Sequence, residues 1–287
     1  MKIVTDSAAD LPAAELQAYG IIEAPLSIQF PEGERSSSDL TPDQFYERLV
    51  AMRPAIPTTA QPSGGMFGEL YKKLLGDGER ILSIHISSGL SGTPNAARLG
   101  AELAGATEKV TVWDTLNLSG GQRFQVLAAA LAARAGWSLE QIEARLTELR
   151  AHTETVFTLD TLEYLARGGR IGRVQALAGT LLHLKPIIAV DHQDGKYNNV
   201  GRARTLPKAL HSIAAHLHQV YGETPVWIAV MHGRFAAEAE ALAAELGRVL
   251  QIAKVETLRV SPVLGVHTGP GVVGAAVAPM RMFADLI

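Results

Sequence analysis

The chain has 287 residues, close to twice the roughly 150 of a typical domain, so two domains are expected. Apolar residues make up 47% and charged residues 19%, which excludes wholesale disorder; the net charge of −3 gives no general attraction to nucleic acid. Cysteine is absent, which excludes disulfides, thiolate chemistry and cysteine zinc sites.

In chain order, Ile3-Val4-Thr5 is a β-branched run that stops at Asp6-Ser7, followed by Asp10, Pro12 and helix-forming residues. It reads as strand, loop, helix. Asp6 falls where a signal peptide needs an apolar core, so a cytoplasmic protein is expected. A second extended run spans Ile21 to Phe30. Thr41-Pro42-Asp43-Gln44 opens a helix with Thr41 as N-cap, Pro42 at the first helical position and Gln44 closing a capping box. Thr58-Thr59-Ala60-Gln61-Pro62-Ser63 precedes the next helix, which Ser63 caps and which carries Phe67, Leu70, Tyr71 and Leu74 at helical spacing. Ile81 to Ile86 then reads as a strand, Gly92 to Ala104 as a helix, Val110 to Trp113 as a strand and Ser119 to Ala135 as a helix. A last helix, capped by Ser138 with Gln141, ends near Arg150. Such alternation predicts a parallel sheet covered on both faces, with ligands bound beyond the carboxyl ends of its strands. Residues 1–152 are therefore expected to form a three-layer α/β/α domain and residues 153–287 a second domain.

The second half is less regular. It offers a strand at Thr155 to Leu159, a break at Gly168-Gly169-Arg170 and an apolar helix from Val174 to Leu184 whose stripe is Leu177, Leu181 and Leu184. Pro186 to Val190 and Lys196 to Val200 flank His192-Gln193-Asp194-Gly195, a hairpin signal. A helix from Pro207 to Tyr221, a strand from Val226 to Met231, a helix through Ala236 to Leu250 and strands near Ile252 to Leu258 and Val272 to Ala278 complete it. A two-layer α/β domain with a mixed sheet is expected. Val260 to Met280 carries no charged side chain over 21 residues, but three prolines and four glycines break it, so it is not read as a membrane span.

Two loops carry converging hydroxyls. Ser87-Ser88-Gly89-Leu90-Ser91-Gly92-Thr93 follows a strand and opens a helix, where free N–H groups and the helix dipole favour an anion. Ordinary capping accounts for it equally well. If the Thr58–Ser63 loop lies on the same edge, Thr59 and Ser91 can hold one anion from two sides. A serine-hydrolase elbow needs G-x-S-x-G, and Thr93 takes the last place. A general base for Ser91 would have to be His85 or His267, neither with an obvious orienting acid. Gly269 to Gly274 matches G-x-G-x-x-G by letter, but it leads into a strand and is rejected as a dinucleotide site. His211, His216 and His218 lack the i, i+4 spacing of a metal pair, so no metal is expected.

These motifs together resemble the DegV family, including the fatty-acid-binding subunits of bacterial fatty acid kinase. The resemblance spans nearly the whole chain: Val4-Thr5-Asp6-Ser7 with Asp10-Leu11-Pro12, Thr59 with Gln61-Pro62-Ser63, the Ser87–Thr93 segment, Leu165 with Gly168-Gly169-Arg170-Ile171, Arg202 with Lys208, and His267-Thr268-Gly269-Pro270-Gly271. Ala60 and Pro94-Asn95 depart from the family pattern and leave the hydroxyl positions in place. The resemblance implies a two-domain fold with a long-chain fatty acid in a tunnel between the domains. Its carboxylate would be held by Thr59, Ser91 and His267, with Ser63, Gly92 and Thr268 beside them and no permanent ion pair. It also implies that the protein has no catalysis of its own, needs no cofactor, and presents its lipid to a separate ATP-binding kinase subunit.

One stretch is cationic. Tyr164 to Lys208 holds Arg167, Arg170, Arg173, Lys185, Lys196, Arg202, Arg204 and Lys208 against only Asp191 and Asp194. Arg170, Arg173, Arg202, Arg204 and Lys208 are expected to meet the kinase or an anionic membrane, placing the protein at the inner membrane face at times. A serine-dependent acyl hydrolase using Ser91 and a regulatory interaction protein are the competing readings.

Overall fold

The computed structural model describes residues 1–76, 79–177 and 184–286. A parallel four-stranded sheet, ordered β2-β1-β6-β7, is built from β1 (Lys2–Asp6), β2 (Ile21–Ala24), β6 (Ile81–His85) and β7 (Val110–Asp114). Helices α3 (Gly64–Leu74) and α4 (Thr93–Leu103) cover one face, burying Phe67, Tyr71, Ala97 and Ala101 against Val4 and Ile81. The other face lies on α5 (Ser119–Arg134), with α1 (Ala13–Tyr19) and α6 (Leu139–His152) beside it.

The second half forms a mixed six-stranded sheet, β10-β9-β8-β13-β11-β12, from β8 (Glu154–Leu159), β9 (Lys185–Val190), β10 (Tyr197–Ala203), β11 (Val226–His232), β12 (Ile252–Arg259) and β13 (Val272–Pro279). Only β11 and β12 run parallel. Helices α8 (Leu206–Tyr221) and α9 (Ala236–Gly247) cover its outer face. Its inner face meets α5, so α5 lies between the two sheets and is buried along nearly its whole length. The stacking is helices, parallel sheet, α5, mixed sheet, helices. This is the α/β class expected from the alternation of periods, with the middle helix shared.

Within α5, Arg123 is 1% exposed and lies between Glu15 of α1 and Glu256 of β12, with Trp227 beside the guanidinium. A buried guanidinium persists only when its donors are matched, and here the matching carboxylates come from both halves of the chain. The charge therefore ties the halves together.

Three elements depart from the sequence reading. The run Ile21 to Phe30 is cut at Pro25 into β2 and β3 (Ser27–Phe30), and β3 leaves the parallel sheet to pair with β4 (Gly33–Ser36) and β5 (Thr58–Ala60) in a small antiparallel sheet, which α2 (Pro42–Ala51) covers. Pro262 opens a helix, α10 (Pro262–Thr268), inside the segment read as broken, because proline at the first helical position loses no hydrogen bond. After α7 (Glu163–Arg167), the predicted helix from Val174 begins as a 3-10 turn at Gly172–Leu177; residues 178–183, with Leu181, lie outside the described residues, and Leu184, its expected last residue, is not helical. Among the described residues, no helix is long and apolar enough to cross a membrane.

Candidate functional site

Beyond the carboxyl ends of β1 and β6, segments from both halves enclose a cavity of about 30 Å³ whose polar lining is Thr59, Ser91, Arg170 and His267. Each wall is placed by local chemistry. Asp6 ends β1, and its carboxylate accepts the N–H of Ala8 and of Ile86, both at 3.0 Å, fixing two lining residues. The Ser87 carbonyl accepts the N–H of Leu90 and of Ser91, each at 3.0 Å, and so turns the loop that presents the Ser91 hydroxyl. That hydroxyl is 2.8 Å from Thr93 Oγ1.

Thr59 sits on β5, opposite Ile28, with Oγ1 2.8 Å from His267 Nε2. His267 lies in the last turn of α10, and its Nδ1 is buried without a partner. Burial, reinforced by nearby Arg170, pushes this imidazole down to about 4, so it is neutral at ordinary pH. A buried orphan N–H is costlier than an orphan lone pair, so the neutral ring carries its proton on Nε2 and donates to Thr59. The Thr59 hydroxyl is then free to donate to an oxygen in the cavity. Arg170 donates to the Gly168 carbonyl at 2.7 Å and brings a permanent positive charge to the same wall.

The glycine pair before Arg170 has a steric reason. A Cβ on Gly168 would stand 2.2 Å from His267 Nδ1, and Gly169 has a φ of +70°. Only glycine lets this turn close over the imidazole.

A second cavity, about 20 Å³, adjoins the first across Tyr197 and Leu264, which line both. It is nearly all apolar, walled by Leu118, Phe157, Met231, Val260 and Val272. The inner face of the mixed sheet and the start of α5 supply most of this wall. A polar cavity thus lies beside an apolar one between the two sheets, with Tyr197 and Leu264 dividing them.

The candidate residues do not all gather here. Thr59, Ser91 and His267 line the polar cavity. Gly92 does not line it; it is the N-cap of α4, where a Cβ would be 2.9 Å from Gln61 Nε2, so the two hydroxyl-bearing loops touch. Thr268 faces the apolar cavity, its hydroxyl donating to the Leu264 carbonyl at 3.1 Å. Ser63 is exposed and caps α3, accepting from the Met66 N–H at 3.2 Å, and it lines neither cavity. Arg170, read as a partner contact, lines the polar cavity. Arg173 is neutralised by Asp191 and Asp194. Arg202, Arg204 and Lys208 are exposed, with no ion pair among the described residues.

Neither histidine considered as a base for Ser91 is bonded to it. His85 has the orienting acid that the sequence did not reveal, Asp6, but it passes its other nitrogen to Ser83 in a fully buried network. Among the described residues, no group of three His, Asp or Glu is placed to hold a metal.

Comparison with known proteins agrees with this fold. The family model described as "Uncharacterised protein, DegV family" matches residues 1–280. A DegV domain-containing protein of Deinococcus radiodurans is 38% identical over 278 residues, covering 96% of this chain and 95% of its own. A fatty-acid-binding DegV family protein from Thermus thermophilus superposes with a TM-score of 0.90 at 33% identity, over 97% of this chain and 99% of that one. A stearic-acid-binding protein from Eubacterium ventriosum superposes at 0.87 with 26% identity, over 97% and 98%. With loops, sheets and the polar cavity arranged as above, the chain belongs to the DegV family.

Proposed function

We propose that this protein is a fatty-acid carrier: it buries a long acyl chain between residues 1–152 and 153–287 and presents the carboxylate to a separate kinase subunit, which forms the acyl phosphate. The observation that carries this reading is the junction of a polar cavity holding Thr59, Ser91, His267 and Arg170 with an apolar one across Tyr197 and Leu264. Burying each methylene contributes about 0.8 kcal/mol, so about fifteen of them offer about 12 kcal/mol before binding costs. The apolar tail supplies affinity, and the polar end fixes orientation. Because the two cavities are small, the acyl chain enters by displacing the side chains that divide them, and Tyr197 and Leu264 must move. The fatty-acid-binding relatives in Thermus thermophilus and Eubacterium ventriosum support the choice of ligand.

The carrier itself needs no catalytic group. Two hydroxyls, one of them oriented by the neutral imidazole, hold an oxyanion without transferring a proton to it, and Arg170 offsets its charge. Arg202, Arg204 and Lys208 form the exposed basic surface for the kinase or for anionic lipid, and Arg173 is left out because aspartates already satisfy it. Lipid extraction from native protein followed by mass spectrometry tests the reading directly, with a long-chain fatty acid as the expected species. Thr59→Ala with Ser91→Ala should lower fatty-acid affinity, each lost bond to the charged head costing about 1.5–3 kcal/mol, with the fold intact. Equal affinity in the double variant and the wild type would remove both hydroxyls from the site.

A further inference from the structure

The turn between β9 and β10 touches the polar cavity's loop and carries the side chain that divides the two cavities. The Ser87 hydroxyl donates to the Gly195 carbonyl at 2.9 Å, and a Cβ on Gly89 would stand 2.3 Å from the Asp194 carbonyl oxygen. Two residues beyond Gly195, Tyr197 begins β10, 4% exposed and edge-on to Phe157. Whatever holds this turn holds both Tyr197 and the loop of Ser91.

One clasp on the turn is titratable. His192 Nδ1 is 3.0 Å from the Arg150 carbonyl, and Nε2 is 2.7 Å from Glu154 Oε1. Both partners only accept, so both ring nitrogens must donate, and the clasp is complete only with an imidazolium. We propose that His192 and Glu154 form a proton-dependent latch that seats the β9–β10 turn on the Ser91 loop, so that loss of the His192 proton frees Tyr197 and speeds passage of the acyl chain. The proposal rests on the fatty-acid reading for its ligand, although the latch itself does not.

The surroundings set the sign. His216 of α8 faces the other carboxylate oxygen of Glu154 at 3.6 Å, and His152 and Arg281 share a cavity wall with Glu154. Asp191, on the turn, is held by Arg173, which also binds Asp194, while Lys196 lies 3.9 Å from Asp194. The Arg150 guanidinium is turned away, over the Trp113 ring and onto the Asp114 carbonyl. The hydrogen bond to Glu154 raises His192 above its ordinary 6.5, and although burial opposes it, the two histidines hold Glu154 down to about 2. The latch is therefore closed below the raised His192 value and opens as pH rises through it.

The test has two arms. Hydrogen exchange of amides 191–197 needs no ligand: relative to His192→Gln at each pH, the wild type should be protected at about pH 6 and lose most of that protection by about pH 8.5. Release of bound palmitate to phosphatidylcholine vesicles should be about three- to tenfold faster at the higher pH in the wild type and independent of pH in His192→Gln and Glu154→Gln. A wild-type-to-variant protection ratio that stays constant with pH overturns the latch, as does an unchanged pH ratio of palmitate release in both variants. If the protein binds no palmitate while the turn still responds through His192, the latch stands and the carrier reading falls.

Discussion

Two polar clusters lie one behind the other at the ends of β1 and β6, and they are built in opposite ways. In the inner cluster Asp6 accepts from the N–H of Ala8 and Ile86, the Gln122 amide and His85 Nδ1 at 2.9–3.1 Å; Ser83 bonds His85 Nε2, and Tyr71 bonds Ser83. Asp6, Ser83, His85 and Tyr71 are all 0% exposed. In the outer cluster Thr59, Ser91, His267 and Arg170 are part-buried, and His267 Nδ1 has no partner. The inner one has the acid, imidazole and hydroxyl of a hydrolytic triad, yet it is sealed and its donors are all matched, with Gln122 Oε1 left as an orphan acceptor. A sealed network whose donors are all matched rigidifies a scaffold, whereas one facing a cavity with a hydroxyl proton still to give is built to receive something. Access to a cavity, more than residue type, separates the support from the site.

The largest consequence concerns stability. Asp6→Ala strands two backbone N–H groups and an imidazole N–H in a dry interior, which should cost about 3–5 kcal/mol in urea unfolding. His267→Ala leaves only Thr59, a residue that can turn to a cavity, and should cost much less. Similar losses in the two variants would erase the distinction between the clusters.

The next effect sharpens the comparison through pH. Behind α10, Asp10 accepts from the Ser261 N–H at 2.9 Å and from the Ser119 hydroxyl, and burial raises it to about 6 from an ordinary 3.8. The folded state keeps this proton where the unfolded chain has lost it, so the Asp10 contribution is complete below about pH 4 and is lost as pH rises to about 6. His267 runs the other way: pushed down to about 4, it contributes fully above its ordinary 6.5, and that contribution is lost as pH falls. Each amounts to on the order of 3 kcal/mol, and over the shared window they oppose one another. Relative to wild type, His267→Gln should make stability decline as pH rises from about 4 to about 6, and Asp10→Asn should make it climb. Denaturant unfolding across that range checks both signs. Variants that parallel the wild type would mean that neither group titrates as its burial dictates.

Much of this was legible in the sequence where local rules decide. The capping boxes at Thr41 and Ser138 form as their spacing requires, and the alternation of periods yields the parallel sheet. What was hidden depends on distant partners. Pro25 marks an interruption, but no local signal says that β3 will join a different sheet from β2. Arg170 belongs to a cationic stretch, and composition does not tell an inward guanidinium from outward ones; the usable hint was Gly168-Gly169, since paired glycines mark a close approach. Pro262 was read as a breaker when its place at the first helical position made it a starter. The alanine-rich run in α5 was read as a helix, but its burial on nearly every side depends on two sheets that share it.

The smallest effect is expected at Ser63, which separates capping from binding on a single loop. Ser63 and Thr59 are four residues apart, and both offered a hydroxyl at a helix entry. The Ser63 oxygen already accepts from the Met66 N–H and satisfies one of the orphan donors of α3, whereas Thr59, accepting from His267, keeps its own proton to give. Ser63→Ala should therefore cost about 1 kcal/mol of stability, the usual loss of a cap, and leave fatty-acid affinity at the wild-type value. Calorimetric unfolding and a ligand titration on the same preparation separate the two. A loss of affinity without a loss of stability would bring Ser63 into the site and move the boundary between support and site along the loop towards α3.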